Sequence, residues 1–326
     1  MGFIYTLWIY KEAVVFDKMY QIKVMMVSLK NNIYRKERIM EKKIVWLGIV
    51  VMVVGLCSSG ALATTLGPPV AGLNAGQFSV GVEYSNSDVT LDLDGEMGVA
   101  GELVVDDVVV DSGDESESFK SDEDFESDMI FAKLGYGVSD KLEVFARLGM
   151  ADLEAGGFSS SQEFAWGIGA KATFYEEAAL KLGALIQMTW GSAEDDFTED
   201  NFDDGDFPEP YRDLIEFEMP MEVDWYEIKV AVGPSYEFAE GVSVYGGPFY
   251  HMFRGDFDGD ASQEIDLGEG GIANLDFSMS ADIEEASQFG GYIGAQVDLA
   301  ENLPVCVEYQ FTSDANIFGA GLVYRF

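Results

Sequence analysis

Five basic residues of this sequence, Lys133, Arg147, Lys171, Lys181 and Lys229, sit at alternate positions among apolar neighbours. Glu83, Glu143, Glu227, Asp298 and Glu308 hold the same parity in similar stretches. On a strand, residues i, i+2 and i+4 line one face. Ten groups of opposite sign on a shared face can neutralise one another. If the face is enclosed they must pair, because an uncompensated buried charge is costly. The chemistry on offer is an internal ion-pair network or, in a wider enclosure, a charged lining for an ion path.

Two further constellations could do chemistry. Asp256, Asp258 and Asp260 alternate with Phe257 and Gly259 and resemble the start of a calcium-binding loop, since hard cations take clustered carboxylates. Ala261 stands where such a loop needs glycine, and Leu267 where it needs a bidentate glutamate. The pattern therefore favours diffuse association of Ca2+ or Mg2+ over one formed site. His251 is the single histidine and the one candidate general base. No Ser/His/Asp spacing accompanies it and no His or Cys metal cluster exists, so no catalytic residue and no further cofactor is assigned.

These residues lie on elements with period-two alternation. Phe78, Val80, Val82 and Tyr84 alternate with small or polar residues, and the pattern returns at 130–138, 142–148, 166–174, 180–190, 226–232, 242–253, 288–299, 304–311 and 318–326. That is about ten strands, each near the length of a tilted membrane strand. Short turns at 138–141, 175–178, 238–241 and 300–303 alternate with longer connections at about 94–127, 152–163, 192–222 and 255–286. Three of these are strongly acidic: 94–127 and 192–222 carry 13 acidic residues each, and 255–286 carries 10 with no basic residue. The sequence predicts them to be long extracellular loops.

The N-terminus is a different kind of polypeptide. Residues 1–63 hold 9 of the 19 Lys+Arg and 4 of the 59 Asp+Glu, leaving 10 basic and 55 acidic residues after them. From Met40, Lys42 and Lys43 precede an apolar run from Ile44 to Leu56, and Ala61-Leu62-Ala63 forms a small-x-small cleavage site. This reads as a signal peptide over 40–63, with Ala61 and Ala63 the small residues of its cleavage site and 1–39 an upstream mis-start or a longer leader. A retained anchor is the alternative, and Leu56 before Cys57 is too large for a lipoprotein site. One cysteine, Cys306, remains after cleavage, so no intramolecular disulfide forms. The net charge of −40 excludes ordinary nucleic-acid binding, which needs a basic face.

In a sandwich the apolar face points inward, whereas in a membrane barrel it points to lipid. Aromatic residues gather at strand ends, at Tyr84, Tyr136, Trp166, Phe174, Trp190, Trp225, Tyr226, Tyr236, Phe238 and Tyr250, as membrane interfaces favour. The opposite face is rich in glycine and alanine. The chain ends on Phe318, Ala320, Leu322, Tyr324 and Phe326. In these features residues 76–326 resemble small bacterial outer-membrane β-barrels of the OmpA-like or porin-like kind. The resemblance implies an all-β, antiparallel up-and-down barrel of about ten strands (8–12) over 64–326. It also implies outer-membrane lipid around the barrel and recognition of Phe318, Leu322, Tyr324 and Phe326 by the barrel-assembly machinery. It names no extracellular partner.

A ten-stranded barrel is narrow enough for side chains to fill. The expected function is therefore a largely plugged barrel with a structural or surface-interaction role. A narrow porin-like channel for ions or small solutes is the first alternative, and a hydrolase at the outer rim, using His251, the second.

Overall fold

A computed structural model of the chain describes residues 64–105, 108–155, 158–198, 218–268, 271–285 and 288–326. Segment 1–39, the signal peptide 40–63 with Ala61 and Ala63, and residues 199–217 of the second acidic stretch lie outside the described residues. Among the described residues thirteen strands follow one another: β1 (Phe78–Val105), β2 (Val108–Ser139), β3 (Leu142–Ala151), β4 (Glu154–Ala155), β5 (Phe158–Ser159), β6 (Glu163–Glu177), β7 (Leu180–Thr198), β8 (Glu218–Ala239), β9 (Val242–Gly268), β10 (Gly271–Glu285), β11 (Phe289–Ala300), β12 (Leu303–Phe311) and β13 (Ala315–Arg325).

Ten of them close a ring of antiparallel neighbours in the order β1, β2, β3, β6, β7, β8, β9, β11, β12, β13 and back to β1. This is an up-and-down barrel with the strand number expected. The seam is completed at the chain end, where the Phe326 amide donates to the Phe78 carbonyl at 2.8 Å. Four tight turns lie at one end, after β2, β6, β8 and β11. Two of them use left-handed backbone, at Ala178 (φ 50°) and Gly241 (φ 67°).

The alternation resolves into an inner and an outer face. Val80, Val82, Leu134, Leu148, Ile168, Ile186, Ile293 and Leu322 are exposed on the outside. Aromatic residues border this apolar band. Toward the tight turns stand Phe78, packed on Tyr136 with ring centroids 4.9 Å apart, and Phe174, Tyr236, Tyr324 and Phe326. Toward the other end stand Tyr84 and Trp166, the latter stacked on its cross-strand partner Trp190 at 4.5 Å. An apolar exterior of this kind is stable only against lipid. Trp225 departs from expectation: it points inward, is buried, and stacks on Phe253 at 5.8 Å. Phe318 is buried too, whereas Leu322, Tyr324 and Phe326 are exposed.

The acidic stretches are a second correction. Most of 94–127 and 255–286 is strand rather than loop. β1 and β2 stay paired from Phe78↔Tyr136 to Val105↔Val108, with one shift of register between Leu103 and Val104, and β9 pairs β10 from Arg254↔Glu284 onward. The described part of 192–222 likewise continues β7 and β8, up to Thr198↔Glu218. β11, β12 and β13 stop short, and β10 stands beyond them, bonded to β9 on one side and to β1 on the other. The wall thus continues past the membrane band as a sheet of longer strands. Carboxylates do not prevent strand formation where inward apolar residues (Val89, Leu91, Phe125, Val223, Phe257, Ile283) have an enclosed face to fill.

Candidate functional site: the barrel interior

The interior is built around a segment the strand pattern leaves unassigned. Residues 64–77 precede β1 and contain Pro68-Pro69, which cannot donate to a ladder. Their amides must find other acceptors, and several find them on the inward faces of the strands. The Leu66 and Gly67 amides donate to Glu308 of β12 at 2.5 and 2.6 Å. The Ala71 amide donates to Thr173 Oγ1 of β6 at 3.0 Å, and that of Gly72 to Glu143 Oε2 of β3 at 2.8 Å. Two wall glycines permit the approach. A Cβ at Gly183 would lie 2.4 Å from the Pro69 oxygen, and one at Gly137 would lie 2.0 Å from that of Asn74.

Two buried ion clusters meet at the start of this segment. In the first, Glu83 of β1 takes Lys133 Nζ of β2 at 2.8 Å and Arg147 Nε of β3 at 3.2 Å. Lys133 also stands 4.0 Å from the Phe145 ring centroid, and Arg147 donates to Gln187 and, at 3.0 Å, to the Thr65 carbonyl. In the second, Glu227 Oε1 lies 2.9 Å from both Lys229 Nζ and His251 Nε2, and His251 Nδ1 lies 2.8 Å from Glu285 Oε2.

Thr64 joins the two clusters. Its amide and hydroxyl donate to Glu227 at 3.1 and 2.5 Å. Its carbonyl accepts from Lys229 at 2.7 Å and Gln310 at 3.0 Å, and its hydroxyl accepts from Gln187 at 2.8 Å. Thr64, Lys229 and His251 have no exposure. Beyond this polar level lies an apolar one, where Leu91, Met129, Leu153, Trp225, Phe253 and Ile283 form one buried cluster.

Of the ten expected interior charges, eight are buried on the inner face: Glu83, Lys133, Glu143, Arg147, Lys171, Glu227, Lys229 and Glu308. Lys181 and Asp298 are not. They are half-buried at the turn end, lining an opening with Arg325, and Lys181 pairs with Glu176 at 2.8 Å. Their strand positions are too close to the tight turns for enclosure. His251 is not at a rim: it is buried between two glutamates. Sequence reasoning missed Glu285, Gln310, Thr64 and Tyr245, whose hydroxyl donates to Glu308 at 3.2 Å. Parity flags Gln310 as it does Gln187, whereas Glu285 lies in a stretch whose acidity reads as loop and residues 64–75 carry no alternation.

The aspartates singled out for Ca2+ or Mg2+ are not arranged as one loop-like site. Asp256, Asp258 and Asp260 lie on β9 and are all exposed on its outer face, with alternate residues about 6.7 Å apart at strand rise. They cannot wrap one ion as a loop does, and among the described residues no group of three or more His, Cys, Asp or Glu is placed to hold a metal. The neighbours that matter are cross-strand. Asp224, Asp256, Asp282 and Asp94 stand opposite one another on β8, β9, β10 and β1, a row ended by the Asp94–Lys120 ion pair.

A closed antiparallel ring with a lipid-compatible exterior and a polar level inside defines an outer-membrane-type β-barrel. Several solved structures are similar to it. Over 82% of this chain and 100% of the other, it aligns with the outer membrane protease OmpT of Escherichia coli (13% identity, TM-score 0.35). Over 81% and 100% it aligns with an outer membrane channel of Pseudomonas putida F1 (12%, 0.35). Over 73% and 88% it aligns with the translocator domain of the autotransporter NalP of Neisseria meningitidis (10%, 0.34). No protein-family model and no curated protein matches the chain.

Proposed function

We propose that this chain is an integral outer-membrane barrel whose interior is closed to solutes, with a structural or surface-interaction role and no catalytic activity. The observation that carries this reading is the bonding of Thr64–Gly72 to inward side chains of β3, β6, β7, β8 and β12. A solute would have to break these bonds and then cross the apolar level of Phe253, Trp225 and Leu91. An ion entering that level would lose its hydration with no charged partner to replace it. The non-catalytic reading rests on His251, which has no exposed surface and a carboxylate against each ring nitrogen.

On this reading the working surface is the wall beyond the membrane band, which turns exposed carboxylates outward. Such a wall repels anions and holds a loose atmosphere of cations. Liposome swelling tests the closure. Vesicles carrying the barrel should swell in small sugars no faster than vesicles without it. Swelling that scales with protein content would overturn the reading.

A further inference from the structure

Glu227 is unusual in what it holds. Its two oxygens take the amide nitrogen and the hydroxyl of a single residue, Thr64, while Lys229 and Gln310 hold the carbonyl of that residue. Every polar group of Thr64 is thus gripped by the wall. The cleavage motif ends at Ala63, so Thr64 is the residue that processing would make the first of the mature chain.

We propose that the Glu227 pocket is a capture site for the α-ammonium group of Thr64, and that cleavage after Ala63 completes the interior by creating that charge. Hydrolysis adds water across the Ala63–Thr64 peptide bond. Ala63 keeps a carboxylate, and Thr64 gains an ammonium in place of its amide N–H. The charges around it favour the change. Glu227, Glu285 and Glu308 bring three negative charges to this level, against Lys229 and, when protonated, His251. With His251 protonated, one more positive charge at Thr64 N balances these three carboxylates; with His251 neutral it halves their excess. It would lie 3.1 Å from the Glu227 oxygen that already accepts from it. Capture of a free N-terminal amine is an established mode of recognition, and a hydrogen bond between an ammonium and a carboxylate is stronger than one from a neutral amide. The first residue would then act as a pin between β8 and β12, with 65–77 as the tether back to β1. This goes beyond the closure of the lumen, since a pinned N-terminus is compatible with either a conducting or a closed barrel.

The test uses mature protein recovered from the outer membrane of cells expressing the full chain. Mass spectrometry should find Thr64 as the first residue. Reductive methylation at neutral pH, followed by peptide mapping, then reads the accessibility of its amine. The expected result is labelling about tenfold or more slower in the folded barrel than after heating, as for a group reached only through opening. Glu227→Gln should raise the native rate toward the heated one, and Glu227→Asp, which keeps the charge, should restore most of the protection. A different first residue, equal native and heated rates, or a Glu227→Gln barrel as protected as the parent would each overturn the proposal. The folded-against-heated comparison needs no variant, so it decides even if Glu227→Gln fails to assemble.

Discussion

The ammonium of Lys229 lies 2.7 Å from the carbonyl oxygen of Thr64, a residue 165 positions earlier in the chain. The same ammonium is 2.9 Å from Glu227, and both side chains are buried. One lysine therefore neutralises a carboxylate on its own strand and ties the N-terminal segment to the wall. Removing it should leave the buried carboxylates around Glu227 short of one positive charge. Lys229→Met is expected to destabilise the barrel by about 3–5 kcal/mol, the cost of breaking a buried pair from one side. The readout is the temperature at which the compact, fast-migrating form on a gel gives way to the unfolded one. Glu227→Gln combined with Lys229→Met should recover part of the loss. A lone Lys229→Met that melts with the parent would refute the pairing.

The two faces should respond oppositely to charge. Ile186 is half-exposed on the outer face of β7, within the apolar band, whereas Lys181 sits at its turn end. Ile186→Arg places a charge in lipid at a cost of about 2–4 kcal/mol near the midplane. It should reduce the amount of heat-modifiable barrel in the membrane, while Lys181→Gln leaves that amount unchanged. Equal yields from both variants would contradict the assignment of faces.

The wall beyond the membrane should depend on pH. Asp92 and Asp122 stand directly opposite on β1 and β2. Partial desolvation, together with the Asp122 carboxylate facing it, holds the Asp92 carboxyl above its ordinary range. A raised carboxyl pKa means stability that is fully present below the unfolded value and lost as pH rises through the folded one. Protease cleavage within 90–124 should accordingly slow as pH falls from neutral toward the carboxylate range. Asp122→Asn should remove much of that dependence at neutral pH, since like charges directly opposite are destabilising. A cleavage rate independent of pH in both forms would refute it.

The row of Asp224, Asp256, Asp282 and Asp94 should respond to divalent ions. Adjacent strands are about 4.8 Å apart, so neighbouring carboxylates in the row lie well inside one Debye length, about 8 Å at physiological salt. Millimolar calcium should slow proteolysis of the 255–286 hairpin relative to chelator, and sodium at matched ionic strength should protect less. Equal protection by sodium would reduce the effect to screening.

The membrane part of the fold was readable because period-two alternation records a boundary between two environments, and ten such stretches mark ten ring strands. Eight interior charges were found the same way, from their parity. Two kinds of information were not in that pattern. Apolar alternation does run on past the ring, at Val89, Leu91, Val223, Phe257 and Ile283, but the Asp and Glu between these residues read as loop and hid both the extension of β1, β2, β7, β8 and β9 and the whole of β10. Trp225 went to the wrong face because an aromatic near a strand end suits either an interface or a core. Thr64–Gln77 has no periodicity at all, and its position follows from the acceptors the wall offers, which only three dimensions bring together.

The central claim is that the interior is closed by the chain's own N-terminal segment and the apolar level beyond it. Electrical recording from single mature barrels in a planar bilayer tests this most directly. The account predicts insertion, verified by heat-modifiable protein in the same preparation, with no discrete conductance steps at moderate voltage. Reproducible steps whose size scales with salt concentration would contradict it and make the barrel a channel.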